Sequence, residues 1–595
     1  MDMVKKEAVF ISTLMKLFRP QSMTQTKNRN RFIQRLLRKP QLLLWYFITV
    51  NLVPTFYFFF TEPLNIFGKM VILLLPFGLY LLIFSAVENI GKWQVFLFPL
   101  LFLHAFQIVL FYLFGRGVIA ANMFLNVTTT NSAEVSELLG ALLPSIIIVV
   151  TLYVPATILG IIQWRHRVFL SRSFRKRILH LGLGSLVIAF TFSFFSQNQK
   201  TGNFAFHRDI YPVNLFYNLG FATQKYYKTK QYPENSKDFT FEATRNSNSK
   251  NRQIIVLVVG ETSRPDNWEL FGYERENNPL LSKEDNLILY KDAITQSNVT
   301  HQSVPIILSG VGAENFKDLY HQKGIFEAFK ETGFTTICLS NQVENGSFIE
   351  YIYKQADIYT NLKSPENLVD KNSNPPDEKL TILMEQKIAE TPGDLFIVLH
   401  PYGSHFNYMD RYPESFRKYT PDNVTNVSKT QKEEMVNAYD NSILYTDYFL
   451  SQNIAVLEES NASSYLLFAA DHGEDIFDDK RGKFLHSSPI PTYYQLRIAF
   501  LSWFSTEFKA EYPEKFKASL QNSKKPVSTN AVFHTLIDVA DISTPFLKED
   551  LSLVNPKFKK KKRVFLTDHE NAIPYRKLNL RSLDYQMLKE NHIAP

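Results

Sequence analysis

Cysteine is all but missing: Cys338 is the only one in 595 residues, so no disulfide can form within the chain. Cysteine usage therefore does not identify a redox compartment. The apolar setting of Cys338, in TTICLS, marks a small packing residue rather than a reactive thiol. No internal repeat is visible. No nucleic-acid module signature accompanies the formal net charge of +8, which argues against a nucleic-acid partner. The basic clusters of the first half instead flank apolar runs, as they do beside a membrane. The chain is too long for one compact core, so two or more domains are expected.

The hydrophobic fraction of 45% is ordinary, but it is unevenly spread. Five apolar segments, at about 41–61, 69–88, 94–114, 142–163 and 177–196, reach the roughly 20 helical residues that span a hydrocarbon core. Residues 1–40 are too long and too polar for a signal-peptide leader, so the first span is expected to be retained. Lys5, Lys6, Lys16, Arg19, Lys27, Arg29, Arg31, Arg35, Arg38 and Lys39 face only Asp2 and Glu7 there. The connection between spans four and five carries Arg165, Arg167, Arg172, Arg175, Lys176 and Arg177 and no acid. Positive charge stays on the cytoplasmic side, so both segments are expected there. Five spans then put the loop at 115–141, and everything after about residue 197, outside. On that loop Asn126, Thr130 and Glu134 recur every four residues, which fits one helical face at the membrane surface. On spacing alone, the better reading of the same residues is a capped helix start.

The expected organisation is a cytoplasmic basic segment (1–40), a five-span α-helical membrane bundle (41–197), an interfacial linker (198–250) and an external α/β domain (251–595). In the linker, YPVNLFYNLGFATQKYY has the aromatic content of a bilayer interface. Beyond it, IIVLVVG, TTICLS, LFIVLH, YLLFAAD and IAFLSWF alternate with helix-length stretches. Continuous apolar runs of this kind predict a central, mostly parallel sheet covered on both faces. Ligands of such sheets sit beyond the carboxyl ends of the strands. There lie Glu261 after the first run, His400 and His405 in HPYGSH, and Asp471-His472 in DHGED; Thr300 and His486 lie in loops. Carboxylates and imidazoles beside a hydroxyl suit a divalent-metal site with an open position, and a metal sharpens a threonine hydroxyl into a nucleophile. Each residue alone also reads as a cap or a solvated loop group. Residue patterns stop at a metal-dependent transferase or hydrolase.

The run VLVVGETSRPDNWELFGYERENNPLL, followed in order by VTHQSVP, LHPYGSHFNYMDRYP, NAYDNSILYTDYFL and DHGEDIFDDKRGKFLH, resembles the membrane-bound phosphoethanolamine transferases of the alkaline phosphatase–sulfatase superfamily. That resemblance implies an alkaline-phosphatase-like catalytic domain on the periplasmic side of the cell inner membrane. It implies zinc held by Glu261, Thr300, Asp471 and His472, with Thr300 as nucleophile. His405 and His486 would hold the phosphoryl group or a second zinc, and Asn126, Thr130 and Glu134 the membrane-proximal substrate. Relatives specific for lipid A often carry Asn-x-Ser-Gly-Cys-Lys where this chain reads LSNQVENGSF, which is nearer to relatives acting on core sugars.

The implied reaction moves phosphoethanolamine from phosphatidylethanolamine to an envelope glycolipid (lipid A or lipopolysaccharide core) through a phosphoethanolamine-threonine intermediate, with the enzyme a monomer. Glu134 would meet the donor's ammonium. The alternatives are a phosphoglycerol transferase or another phosphodiesterase of the superfamily, and, outside enzymes, a membrane sensor. Two further features read as structural: His534 on a helix, and KFKKKKR at 557–563 as a solvated loop.

Overall fold

The computed structural model describes residues 39–593 except 116, 130–141, 200–203, 246–248, 250, 345, 365–366, 368–373 and 426–427. Its contacts define two compact units, one of Met1–Phe59, Leu64–Ala105 and Ile148–Asn203, the other of Phe60–Pro63, Phe106–Ile147 and Phe204–Pro595.

The first unit is helical and apolar. Among the described residues, three helices are long and apolar enough to cross a membrane, Ile66–Ser85, Leu143–Arg165 and Arg172–Gln197, and two bent pairs bring the number to five if each pair is one span. The bends fall inside the first and third of the expected spans. Pro54 follows a break at Leu52, and helices Pro40–Asn51 and Val53–Thr61 meet at 45°. Pro99 follows a break at Leu97, and Ile90–Phe96 and Phe98–Phe114 meet at 59°. A proline ring removes one backbone donor and presses on the carbonyl four residues earlier, here that of Val50 or Val95, which bends the rod just before it. Ile66–Ser85 and Arg172–Gln197 touch backbone to backbone. A Cβ on Gly78 would stand 3.0 Å from the Gly182 carbonyl, and Ser185 Oγ donates to Leu74 O at 2.8 Å. Small residues at such a crossing are what tight packing in lipid requires.

The second unit is built on a seven-stranded sheet: β1 (Gln253–Gly260), β2 (Leu287–Leu289), β3 (Thr335–Ser340), β4 (Ile358–Asn361), β5 (Leu395–His400), β6 (Ser463–Ala470) and β7 (Phe500–Phe504), in the order β2-β7-β6-β1-β5-β3-β4. All eight residues of β1 and of β6 are buried, as strands covered on both faces must be. The five strands from β6 to β4 are parallel; β7 runs antiparallel between β6 and β2. The apolar run of β7 was legible in the sequence, but its direction was not. β2 and β4, of three and four residues, carry too little pattern to detect.

Register does the positioning. Gly260 of β1 pairs with Ala470 of β6, and Ser340 of β3 with His400 of β5. Glu261 and Asp471 therefore leave the same sheet edge side by side, with Asp471 N still donating to Gly260 O at 2.8 Å. The aromatic linker stretch forms a helix, Val213–Asn235, with Phe216, Tyr217, Leu219, Tyr226 and Tyr227 exposed.

Candidate metal and active site

Glu261, Asp471 and His472 present ligand atoms that lie within 4.8 Å of one another, all on buried residues. His472 Nε2 is 3.2 Å from Asp471 Oδ2, 3.8 Å from Glu261 Oε1 and 3.1 Å from Thr300 Oγ1. Thr300 opens the helix Thr300–Ile307, and the positive end of a helix dipole favours negative charge. The other oxygens are already used: Thr262 N and His472 N donate to Asp471 Oδ1, and Thr262 Oγ1 to Glu261 Oε1. That leaves Glu261 Oε2 and Asp471 Oδ2 buried with no hydrogen bond among the described residues. Burial pushes the pKa of both carboxyls upward; Glu261 raises that of Asp471 further, and Glu474 that of Glu261. His472 Nδ1 meets the Gly473 carbonyl at 3.0 Å, which makes it the N–H donor and leaves a lone pair on Nε2. Two orphaned carboxylate oxygens, one imidazole lone pair and a hydroxyl converge, and this donor set fits a divalent cation.

A second cluster adjoins the first. His472, Glu474 and His486 also bring ligand atoms within 4.8 Å, and the rings of His472 and His486 lie 3.9 Å apart. Glu474 Oε2 is 3.0 Å from His486 Nδ1, while its other oxygen has no hydrogen bond. Burial lifts the Glu474 carboxyl to about 8 and drops His486 to about 4, which favours the neutral form of each in the metal-free protein. Glu474 then donates to Nδ1, and His486 carries its proton on Nε2. His405 is the opposite tautomer: its Nδ1 donates to Phe406 O at 2.6 Å, and its ring stacks on Tyr402. The sequence contained Glu474 in DHGED, but spacing alone could not say which of its acids turns inward. Nor did it point to Tyr353, whose hydroxyl meets His400 Nδ1 at 2.5 Å and leaves His400 Nε2 3.7 Å from Glu261 Oε2.

A cavity of about 850 Å³ joins these groups to an apolar wall: Glu261, Thr300, His400, His405 and His486 line it together with Phe124, Leu125, Leu219, Tyr226, Phe348 and Ile349. Of the expected membrane-proximal residues, Asn126 lies on the helix Ala121–Thr129 but its side chain is outside the described residues, as are Thr130 and Glu134.

Much of the long sequence motif serves to hold the site. Arg264 is buried and bidentate on Asp478, at 2.8 and 2.7 Å, and donates to Glu474 O at 2.7 Å. Asn267 donates to Asp440 at 2.7 Å, and Arg275 reaches the same carboxylate. Gly473, between His472 and Glu474, has no room for a side chain, since a Cβ there would stand 2.0 Å from Tyr494 O and 2.5 Å from Arg497 O. Gly473→Ala is expected to destabilise the protein by about 1–3 kcal/mol or more and to loosen metal binding; thermal unfolding with and without a chelator measures both. His534 is buried as expected, its Nδ1 accepting from Lys548 N; of the basic run, Lys557 and residues 559–562 are exposed, but Phe558 and Arg563 are buried, Arg563 paired with Asp292 at 2.7 Å.

Metal-free protein should lose stability as pH rises. Glu474 and Asp475 are both lifted to about 8 by burial, so the folded state keeps protons that the unfolded state has already released. Buried neutral histidines act in the opposite sense, but only below about pH 6.5. Chelator-treated protein is therefore expected to melt lower at about pH 8.5 than at about pH 7.

The mostly parallel sheet carries at its edge a cluster with the donor set of a divalent-metal site, and the Sulfatase family model matches residues 253–542. A second model, Phosphoethanolamine transferase EptA/EptB, matches residues 76–227. The two models match different parts of the chain, which is thus similar to the membrane-bound phosphoethanolamine transferases both in its apolar half and in its α/β half. It is 32% identical over 308 residues to phosphoethanolamine transferase EptA of Escherichia coli (strain K12), a match covering 50% of this chain and 55% of that one. It is 31% identical over 301 residues to the Kdo(2)-lipid A phosphoethanolamine 7''-transferase of the same strain, covering 49% and 50%. The chain thus spans about half the length of the curated relatives it matches. Among solved structures, the integral membrane lipooligosaccharide phosphoethanolamine transferase A (EptA) of Neisseria meningitidis superposes with a TM-score of 0.67 at 22% identity, over 88% of this chain and 99% of that one. The zinc complex of the C-terminal periplasmic domain of EptC from Escherichia coli superposes at 0.51 and 25% identity, over 57% and 96%.

Proposed function

We propose that the protein transfers phosphoethanolamine from phosphatidylethanolamine to an envelope glycolipid, by way of a phosphoethanolamine ester on Thr300. The observation that carries this reading is the Thr300 hydroxyl beside His472 and the two orphaned carboxylate oxygens, at the lining of a half-apolar cavity.

Glu261, Thr300, Asp471 and His472 are the residues that would hold zinc, the metal named for the matched EptC domain. Zinc there would lower the pKa of the threonine hydroxyl and offset charge on the phosphoryl oxygens. Thr300 Oγ1 attacks phosphorus, the bond to the glycerol oxygen breaks, and diacylglycerol leaves with the threonine proton. An acceptor oxygen then attacks the same phosphorus and restores the hydroxyl. His486, protonated on Nε2 because Glu474 donates to Nδ1, donates to a phosphoryl oxygen. His405, with Nδ1 committed to Phe406 O, lines the same cavity with a lone pair on Nε2 that suits a second cation.

Two lipid substrates explain the architecture. The exposed aromatic flank of helix Val213–Asn235 supplies Leu219, Tyr226 and Tyr227 to the cavity, where a lipid donor's apolar part is accommodated. Residues 41–197 form the membrane domain in this reading, 198–250 the interfacial linker and 251–595 the catalytic domain. Charge asymmetry orients the catalytic domain to the periplasmic side of the inner membrane. Asn126, Thr130 and Glu134 contact the donor head group, with Glu134 on its ammonium. A relative named for Kdo(2)-lipid A supports a glycolipid acceptor, lipid A or the lipopolysaccharide core. Mass spectrometry of envelope glycolipids tests the assignment. Phosphoethanolamine should appear with the intact protein and not with Thr300→Ala, whereas a phosphoglycerol adduct, or none, would sink the reading.

A further inference from the structure

Helix Ala121–Thr129 contributes Phe124 and Leu125 to the cavity that Thr300 lines. What fixes this helix comes from the far end of the chain. Asp568 accepts from Ala121 N on Oδ2 at 2.6 Å and from Asn122 N on Oδ1 at 2.8 Å, so one carboxylate binds two first-turn amides across more than four hundred residues. Lys225, on helix Val213–Asn235, donates to Asn122 Oδ1 at 2.8 Å and lies 3.5 Å from Glu570 Oε1. Tyr320 donates to that same Glu570 oxygen at 2.6 Å, and Asn218 Nδ2 to Ile119 O at 2.7 Å. Asn122, Lys225 and Glu570 are each 4–5% exposed. Buried charges are retained only when each has its partners, and here the partners run from the 568–570 turn through Lys225 to the helix.

We propose that Asp568 and Glu570, with Lys225, form a clamp that holds helix Ala121–Thr129 as one wall of the lipid-donor cavity. They are positioning residues: they set where the lipid lies, while Thr300 chemistry is built separately at the sheet edge. An aspartate on free helix amides is a strong capping interaction, reinforced by the helix dipole. Its loss frees the helix start without touching Glu261, Asp471 or His472. The proposal rests on phosphatidylethanolamine being the donor, and the test separates the two.

The experiment uses the full-length enzyme in detergent micelles, with Asp568→Ala and the conservative Asp568→Asn, which still offers one capping oxygen. Two readouts are taken. Hydrogen exchange at the first-turn amides needs no substrate: it should rise in Asp568→Ala and rise less in Asp568→Asn, and unchanged exchange overturns the clamp. Kinetics compare phosphatidylethanolamine in micelles with a soluble aryl ester of phosphoethanolamine. The KM for the lipid should rise about five- to ten-fold with kcat and zinc content unchanged, and turnover of the soluble ester should stay at the wild-type value. Equal losses on both substrates overturn the positioning role. Wild-type enzyme that turns over the ester but not the lipid refutes the donor assignment, and the exchange readout then still decides the clamp.

Discussion

Thr300→Ala is expected to lower phosphoethanolamine transfer by roughly four orders of magnitude or more, the size of effect seen when a covalent nucleophile is removed. The reasoning is geometric. Thr300 supplies the hydroxyl that meets His472 Nε2, at 3.1 Å, and it opens a helix whose amides face negative charge. Alanine leaves the helix, the carboxylates and the cavity in place, so folding and lipid binding should survive. Thr300→Ser keeps an oxygen on the same Cβ and should retain measurable turnover, since only a methyl group is lost. An assay of head-group release, with the melting temperature as control, separates loss of chemistry from loss of fold.

Glu261→Gln carries the second large effect, on metal rather than on chemistry alone. Its Oε2 is buried without a hydrogen bond, next to Asp471 Oδ2 in the same condition. An amide there offers a neutral oxygen or a donor in place of a charge, and zinc affinity should fall by more than about 100-fold. Chelator competition reads this directly. The variant without metal should be no less stable than metal-free wild type, because one of two mutually repelling carboxylates has gone. Added zinc should raise the melting temperature of wild type and leave that of Glu261→Gln nearly unmoved, since a ligand stabilises only the state that binds it. A variant that still binds zinc like wild type would remove Glu261 from the ligand set.

The strands that build the site were readable because each is a continuous apolar run ending in polar residues. IIVLVVG, YLLFAAD and LFIVLH deliver Glu261, Asp471 and His400 to one edge, and alternating segments of helix length made that edge predictable. What remained hidden depends on contacts across long sequence separations. Nothing local in DHGED says that Glu474 turns toward His486 while Asp475 bonds Thr492 and Gln495. Tyr353 reads as one aromatic of the helical run FIEYIY until the fold brings it to His400. Asp568 reads as a turn residue until the fold brings it to Ala121. The bends at Leu52 and Leu97 belong to a different group: Pro54 and Pro99 were in plain view, and hydropathy outweighed them.

The direct test of the central claim is the mass of the peptide containing Thr300 after the purified enzyme has met phosphatidylethanolamine with no acceptor present. A phosphoethanolamine group on Thr300, released again when glycolipid is added, is the predicted result. A peptide that stays unmodified while diacylglycerol accumulates, or one modified at another residue, would contradict it.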